Sequence, residues 1–134
     1  MVAKLRKRLV HEEGGFTLIE LLVVLVIIGI LLAIAVPSYL GFKDRANKRA
    51  AQSNLRSALP SAEAFYSDNG SYASMTLAQL TSIDSGINQG IALSGLSATG
   101  YCLGLTVGNQ SFSVAGPGAK WYNGTACAGA TITP

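Results

Sequence analysis

Glu20 is a lone carboxylate inside an otherwise apolar run that extends from Phe16 to Val36. As a helix rising about 1.5 Å per residue, that run is roughly 31 Å long, close to the thickness of a bilayer's hydrocarbon core. A charge at that depth costs on the order of 2.5 to 3.5 kcal/mol, so Glu20 calls either for a cationic partner or for a path by which its side chain reaches the headgroups. Other reactive side chains are sparse. His11 is the single histidine, and no glycine-rich loop carries the lysine needed to hold a phosphate. Carboxylates and thiols do not occur at metal-ligand spacing, so neither a catalytic residue, a metal nor a cofactor is expected. The two cysteines, Cys102 and Cys127, both lie in the last third of the chain.

The elements around Glu20 read in order. Valine, isoleucine and leucine occupy every side of the span, as in a helix solvated by lipid or by copies of itself. Gly29 and Ala33 stand four apart, a small-xxx-small spacing that lets two backbones approach closely, although such pairs also arise by chance in apolar runs. Pro37 lacks an N–H and its ring crowds the carbonyl four residues back, so it should end or bend the helix. From Ser38 to about Tyr66 the pattern becomes amphipathic, with Leu55, Ala58, Leu59, Ala62, Phe65 and Tyr66 at spacings of three and four. Pro60 should bend or divide that stretch. Asp68-Asn69-Gly70-Ser71 then reads as a stop, with Asn69 or Gly70 able to adopt the left-handed conformation that closes a helix.

The remainder suggests a short helix near Leu77 to Ser82, followed by apolar runs broken by glycine: Ile91–Leu96, Tyr101–Val107, Ser111–Ala115 and Lys120–Asn123. Runs at hairpin spacing predict an antiparallel sheet of three or four strands, with Gly108-Asn109 and Gly116-Pro117-Gly118 as turns. Tyr101, Leu103, Leu105 and Val107 share one face and Cys102, Gly104 and Thr106 the other, and either face could meet the helix. The fold class is α+β.

The window Gly15-Phe16-Thr17-Leu18-Ile19-Glu20-Leu21-Leu22-Val23-Val24 resembles the processing site and N-terminal helix of type IV prepilins, a likeness that extends to about Tyr39. The resemblance implies a membrane peptidase that cuts after Gly15, N-methylation of the new N-terminal Phe16, and a role for Glu20 in guiding filament assembly. It also implies the pilin fold, a long bent N-terminal helix packed on a small sheet, and a Gly29 to Pro37 segment that loses helical hydrogen bonding as the filament forms. The expected organisation is a leader (1–15), a membrane and filament-core half-helix (16–37), an amphipathic half-helix (38–69) and a globular head (70–134). Unlike an ordinary secretory signal, the leader has no apolar region before the cut, so the hydrophobic segment stays in the product.

A new amine on Phe16 would lie at a helix N-terminus, where the dipole disfavours a cation. Glu20, one turn along, could pair with that amine or with the amine of a neighbouring copy, fixing an axial register. Thr17 is a candidate cap. Gly14-Gly15 by itself would be no more than a flexible joint.

Of the formal charge of +3, the leader carries about two-thirds, so bulk charge does not argue for direct contact with nucleic acid. Lys43, Arg45, Lys48 and Arg49, with Asp44, form a charged patch just past the span. Three uses are open to it: a solvated or headgroup-facing surface, salt bridges to Glu63, Asp68 or Asp84 of another subunit, or DNA binding. Basic residues flank the span on both sides, so charge alone does not orient it. The family resemblance places the leader in the cytoplasm and the head outside. Cys102 and Cys127 are then either a disulfide or two thiols, and an outside location favours the disulfide, about 3 kcal/mol in the chain-entropy description. Three Asn-x-Ser/Thr sequons, at Asn69, Asn109 and Asn123, are better read as turns in a chain rich in small polar residues.

The implied partners are further copies of the chain, the prepilin peptidase and methyltransferase, a membrane assembly platform, and the membrane before assembly. The implied function is that of a structural pilus subunit serving adhesion, twitching motility or DNA uptake. Two rivals remain: a pseudopilin of a type II secretion system, and a single-pass anchored binding module that never polymerises.

Overall fold

A computed structural model describes residues 15–134. Expectations attached to residues 1–14, among them the basic leader and His11, lie outside the described residues. The chain divides between Leu40 and Gly41 into two compact units.

Helix α1 spans Leu18–Asn69. In the first unit every described residue is exposed, including Leu18 at 83% and Ile34 at 69%. The apolar stretch is long enough to cross a membrane, and none of it is buried by the described residues.

The second unit builds a core around the other half of α1. Ala51, Leu55, Ala58, Ala62 and Phe65 recur at spacings of three and four and form one buried stripe. Three of the five are alanine, which lets the helix backbone come close to the sheet. The facing residues are Leu103, Leu105, Phe112, Val114 and Trp121, with Tyr72, Met75, Leu80, Ile87 and Ile91 completing the cluster from the connecting segment. Of the predicted stripe, Leu59 is only partly buried, and Tyr66 is exposed and stacks on Tyr72 at 4.6 Å between ring centroids.

Of the alternatives at the two prolines, an ended or bent helix at Pro37 and a bent or divided one at Pro60, ending and dividing are excluded, because α1 is continuous through both. Each proline removes one N–H and leaves the flanking turns able to close on their own hydrogen bonds. Beside Pro37, the Ser38 hydroxyl donates to the Ile34 carbonyl at 3.3 Å. Around Pro60 the stripe packed on the sheet stabilises the helix on both sides. The stop at Gly70 is as read: its φ is +69° and its N–H donates to the Tyr66 carbonyl at 2.7 Å.

Helix α2 spans Leu77–Ile83 and starts at a capping box, in which the Gln79 N–H donates to Thr76 Oγ1 at 3.3 Å and the Thr76 N–H to Gln79 Oε1 at 2.9 Å. The sheet has five strands, where three or four were expected: β1 (Ala92–Ser94), β2 (Tyr101–Val107), β3 (Gln110–Gly116), β4 (Lys120–Asn123) and β5 (Thr131–Ile132). They form an antiparallel meander in sequence order. β5 has two residues, with Ile132 opposite Trp121, too short to show any period in sequence. Val107 pairs with Gln110 across Gly108-Asn109, and Gly108 has a φ of +60° at the first loop position, a geometry suited to a two-residue hairpin. That turn meets the helix, since Asn109 Nδ2 donates to Asp44 Oδ1 at 2.9 Å.

The open choice between the two faces of β2 has a double answer. Tyr101, Leu103 and Leu105 enter the core, yet Cys102 and Gly104 are buried as well. The disulfide Cys102–Cys127, with Cα atoms 5.9 Å apart, brings the 124–130 loop over the second face. A methyl group on Gly104 would strike the backbone of Thr125.

Candidate functional site

Thr17 immediately precedes α1 and caps it. Its N–H donates to Glu20 Oε2 at 2.8 Å, and the Glu20 N–H donates to Thr17 Oγ1 at 3.3 Å, a reciprocal box that satisfies N–H groups the helix cannot. The Thr-x-x-Glu spacing is the sequence signature of this cap, so the pairing was legible once both residues were taken together. Glu20 thereby has Oε2 fixed by local geometry at the favourable end of the helix dipole, with Oε1 outside the cap. Phe16, the residue before the cap, is 83% exposed. Apart from adjacent residues and the helix's own backbone, no described atom lies within 4 Å of the position a Cβ would take on Gly15 or on Gly29. Gly29, Ala33 and Pro37 are all helical in the single chain.

A second group of polar residues lies 43 positions further along the helix and was missed by sequence reasoning. Glu63 is exposed, yet it accepts from two buried tyrosines: Tyr72 Oη donates to Oε2 at 3.0 Å and Tyr101 Oη to Oε1 at 3.2 Å. Tyr72 and Tyr101 also lie against each other with ring centroids 4.7 Å apart. Burial, reinforced by the Glu63 carboxylate, pushes the Tyr72 phenol up to about 12 and raises that of Tyr101 further still. Tyr101 is 38 residues from Glu63, and no local pattern signals the meeting.

The basic patch is exposed at Lys43, Arg45, Lys48 and Arg49. Lys48 Nζ lies 5.9 Å from the centroid of the Phe112 ring, and the Arg56 guanidinium 5.4 Å from that of Trp121. These two cations are therefore engaged on aromatic faces of the head.

A protein-family profile described as "Prokaryotic N-terminal methylation motif" matches residues 11–36. The type IV wide pilus major component PilA4 of Thermus thermophilus is 37% identical over 95 residues, covering 69% of this chain and 72% of that protein. The chain belongs to the type IV pilin family. Within that family, the type IV major pilin protein PilA of Myxococcus xanthus is 40% identical over 62 residues, 46% of this chain but 28% of the relative. The type II secretion system core protein G of Pectobacterium carotovorum is 36% identical over 64 residues, 48% of this chain and 41% of the relative. The pilin-family chain thus spans less than half the length of these last two. No solved structure matches it.

Proposed function

We propose that the chain is a structural subunit of a type IV pilus, made as a membrane precursor and polymerised through its N-terminal helix. One observation carries this reading: a carboxylate, Glu20, fixed at the start of a helix whose apolar first half finds no cover among the described residues. Apolar surface of that extent requires lipid or other copies. In either setting a cation would offset the cost of the Glu20 charge, and a cut between Gly15 and Phe16 creates one, the Phe16 amine, for Oε1 of its own or a neighbouring Glu20.

A prepilin peptidase removes residues 1–15, Phe16 is methylated, and residues 16–37 occupy the membrane with the head outside until an assembly platform transfers them to the filament core. Residues 38–69 and 70–134 are the amphipathic half-helix and the head. The segment from Gly29 to Pro37, with one missing donor at the proline and a glycine that costs about 1 kcal/mol relative to alanine, is the stretch best suited to give up helical hydrogen bonds in a filament. No step requires catalysis, a cofactor or direct contact with nucleic acid. Adhesion, motility and DNA uptake are alternative uses of the same polymer.

The likeness to secretion-system core protein G supports a second reading, a pseudopilin. It concerns 64 residues, whereas the likeness to the Thermus pilus component extends over 95; the longer match favours the pilus. The test is Glu20→Leu in cells: processed subunit should persist in the membrane while sheared surface filaments disappear. Intact mass and N-terminal sequencing of sheared wild-type protein should give a chain that begins at a methylated Phe16. Normal filaments from the Glu20→Leu variant would reject the pairing of Glu20 with the amine.

A further inference from the structure

The head divides the basic patch into cations it holds and cations it leaves to the solvent. Between Glu20 and Glu63 the chain carries Lys43, Arg45, Lys48, Arg49 and Arg56 against one carboxylate, Asp44. Asp44 accepts from Asn109 Nδ2 at 2.9 Å, and Lys48 and Arg56 lie on the rings of Phe112 and Trp121. Lys43, Arg45 and Arg49 are exposed. This remainder suits an anion from outside the chain.

Two of the three share a flank with an aromatic residue. At about 100° per residue, Phe42, Arg45 and Arg49 fall within about 60° of one another, whereas Lys43 is about 100° from Phe42. Helical residues four apart have Cβ atoms about 5 to 6 Å apart, so the two guanidiniums can close on one phosphate, each with a planar fork of donors. Side chains on a helix lean toward its N-terminus, which carries both arginine stems back along α1 toward Phe42. Phe42 is 70% exposed and follows an exposed Tyr39 and Leu40. Leu40 ends the first unit, and three residues of chain place Lys43 no further than about 11 Å from it. Apolar and aromatic side chains at a membrane edge, followed at once by cations, suit the boundary between acyl chains and headgroups. A zwitterionic lipid brings its own cation to its phosphate, whereas an anionic lipid leaves the phosphate to the protein.

We infer that Phe42, Arg45 and Arg49 form a binding site for the headgroup of an anionic phospholipid, in the leaflet on the head's side of the membrane, before the subunit is assembled. The inference rests on the membrane-anchored part of the reading above, and neither on Glu20 nor on polymerisation. Its test uses the full chain in phosphatidylcholine vesicles that contain a small fraction of photoreactive phosphatidylglycerol or of photoreactive phosphatidylcholine, with the diazirine on the same acyl carbon. After irradiation the adducts are mapped by mass spectrometry, which separates labelling at residues 41–50 from labelling at residues 1–15. The phosphatidylglycerol probe should label residues 41–50 at least about fivefold more than the phosphatidylcholine probe, the factor that one cation contributes at an anionic surface. Arg45→Gln with Arg49→Gln should make the two probes label alike, with the disulfide and protease resistance of the head unchanged. Lys48→Gln removes the same charge as Arg49→Gln from the adjacent position, but from a side chain held on Phe112. It should therefore cost much less of the preference.

Equal labelling of the wild type by both probes would overturn the inference, as would a preference that survives the double substitution or falls as far with Lys48→Gln as with Arg49→Gln. Inorganic phosphate that removes the preference where chloride at the same ionic strength does not would overturn it in favour of a soluble anion. Duplex DNA retained on phosphatidylcholine vesicles by the wild type and not by the double variant would overturn it in favour of a nucleic-acid surface. A chain that inserts without the preference leaves the membrane reading standing, whereas a chain that alkaline carbonate strips from the vesicles removes both.

Discussion

One helix, α1, runs through two solvents. Up to Leu40 its leucines, valines and isoleucines are exposed, and from Ala51 a stripe of alanine, leucine and phenylalanine is buried against the sheet. The first half is the more hydrophobic and the second is the one that finds cover. Apolar content therefore says how strongly a segment needs a partner, and the geometry of the chain decides whether that partner is internal. The polar groups repeat the contrast. Glu20 is fixed only by its own cap, whereas Glu63 is held by residues from two other parts of the chain.

The largest effect that separates the halves is all-or-none. Glu20→Leu should remove filaments completely and leave thermal unfolding of the head unchanged, measured on the full processed chain in detergent. A shift in the head's unfolding temperature comparable to that of a core variant would mean that the two halves are not energetically separate. Leu55→Ala provides that core variant. Leu55 is fully buried, and its truncation should cost about 2 to 5 kcal/mol, including the cavity left behind. It should lower subunit abundance and act on filaments only through that loss.

The disulfide side of the sheet sharpens the comparison again. Gly104→Val places branched carbon atoms against the Thr125 backbone, which cannot move far because Cys127 is tied to Cys102. Overpacking of this kind costs about 1 to 3 kcal/mol. The expected readout is incomplete Cys102–Cys127 oxidation together with an earlier denaturant midpoint. The equivalent change at Gly29, where the space around a Cβ is open, should leave the head's midpoint where it was.

Alkaline pH separates the two carboxylates more gently. The phenols of Tyr72 and Tyr101 are raised by burial and by Glu63. Folding therefore favours their protonated forms, and this contribution is complete below the ordinary tyrosine value near 10. It falls away as pH climbs from there toward about 12, the value for Tyr72. A urea series across that range should show the head weakening, and Tyr72→Phe with Tyr101→Phe should flatten the dependence.

What could be read from the residues divides along the same line. The capping signature at Thr17 and Glu20, the stop at Gly70 and the Gly108-Asn109 turn are local, since neighbours within four positions determine them. The buried stripe from Leu55 to Phe65 was legible because a period of 3.6 needs only one surface to face. The continuity of α1 through Pro60 depends on packing that no window around the proline contains. β5 is too short for a period, and burial of Gly104 required knowing that the Cys127 loop folds back over it. Glu63 with Tyr72 and Tyr101 is the same case: an exposed helical glutamate looks like a solvated charge until the sheet brings a phenol to it.

Gln52 carries the smallest effect and the finest discrimination. It is 3% exposed on the buried side of α1, and its Nε2 has no hydrogen-bond partner among the described residues. An orphaned amide donor costs about 1 to 3 kcal/mol, while an apolar side chain of similar length in its place leaves nothing unsatisfied. In the single chain, Gln52→Met should therefore raise head stability by about 1 kcal/mol, seen as a later denaturant midpoint with an unchanged slope. If the head behaves as a closed core, the gain should persist when the subunit is assembled, and sheared filaments should dissociate no earlier than wild type. Filaments that dissociate sooner, built from a more stable subunit, would show that Gln52 turns outward to a neighbour on assembly, and the boundary between the self-sufficient half of α1 and the half completed by other copies would move from Leu40 to beyond residue 52.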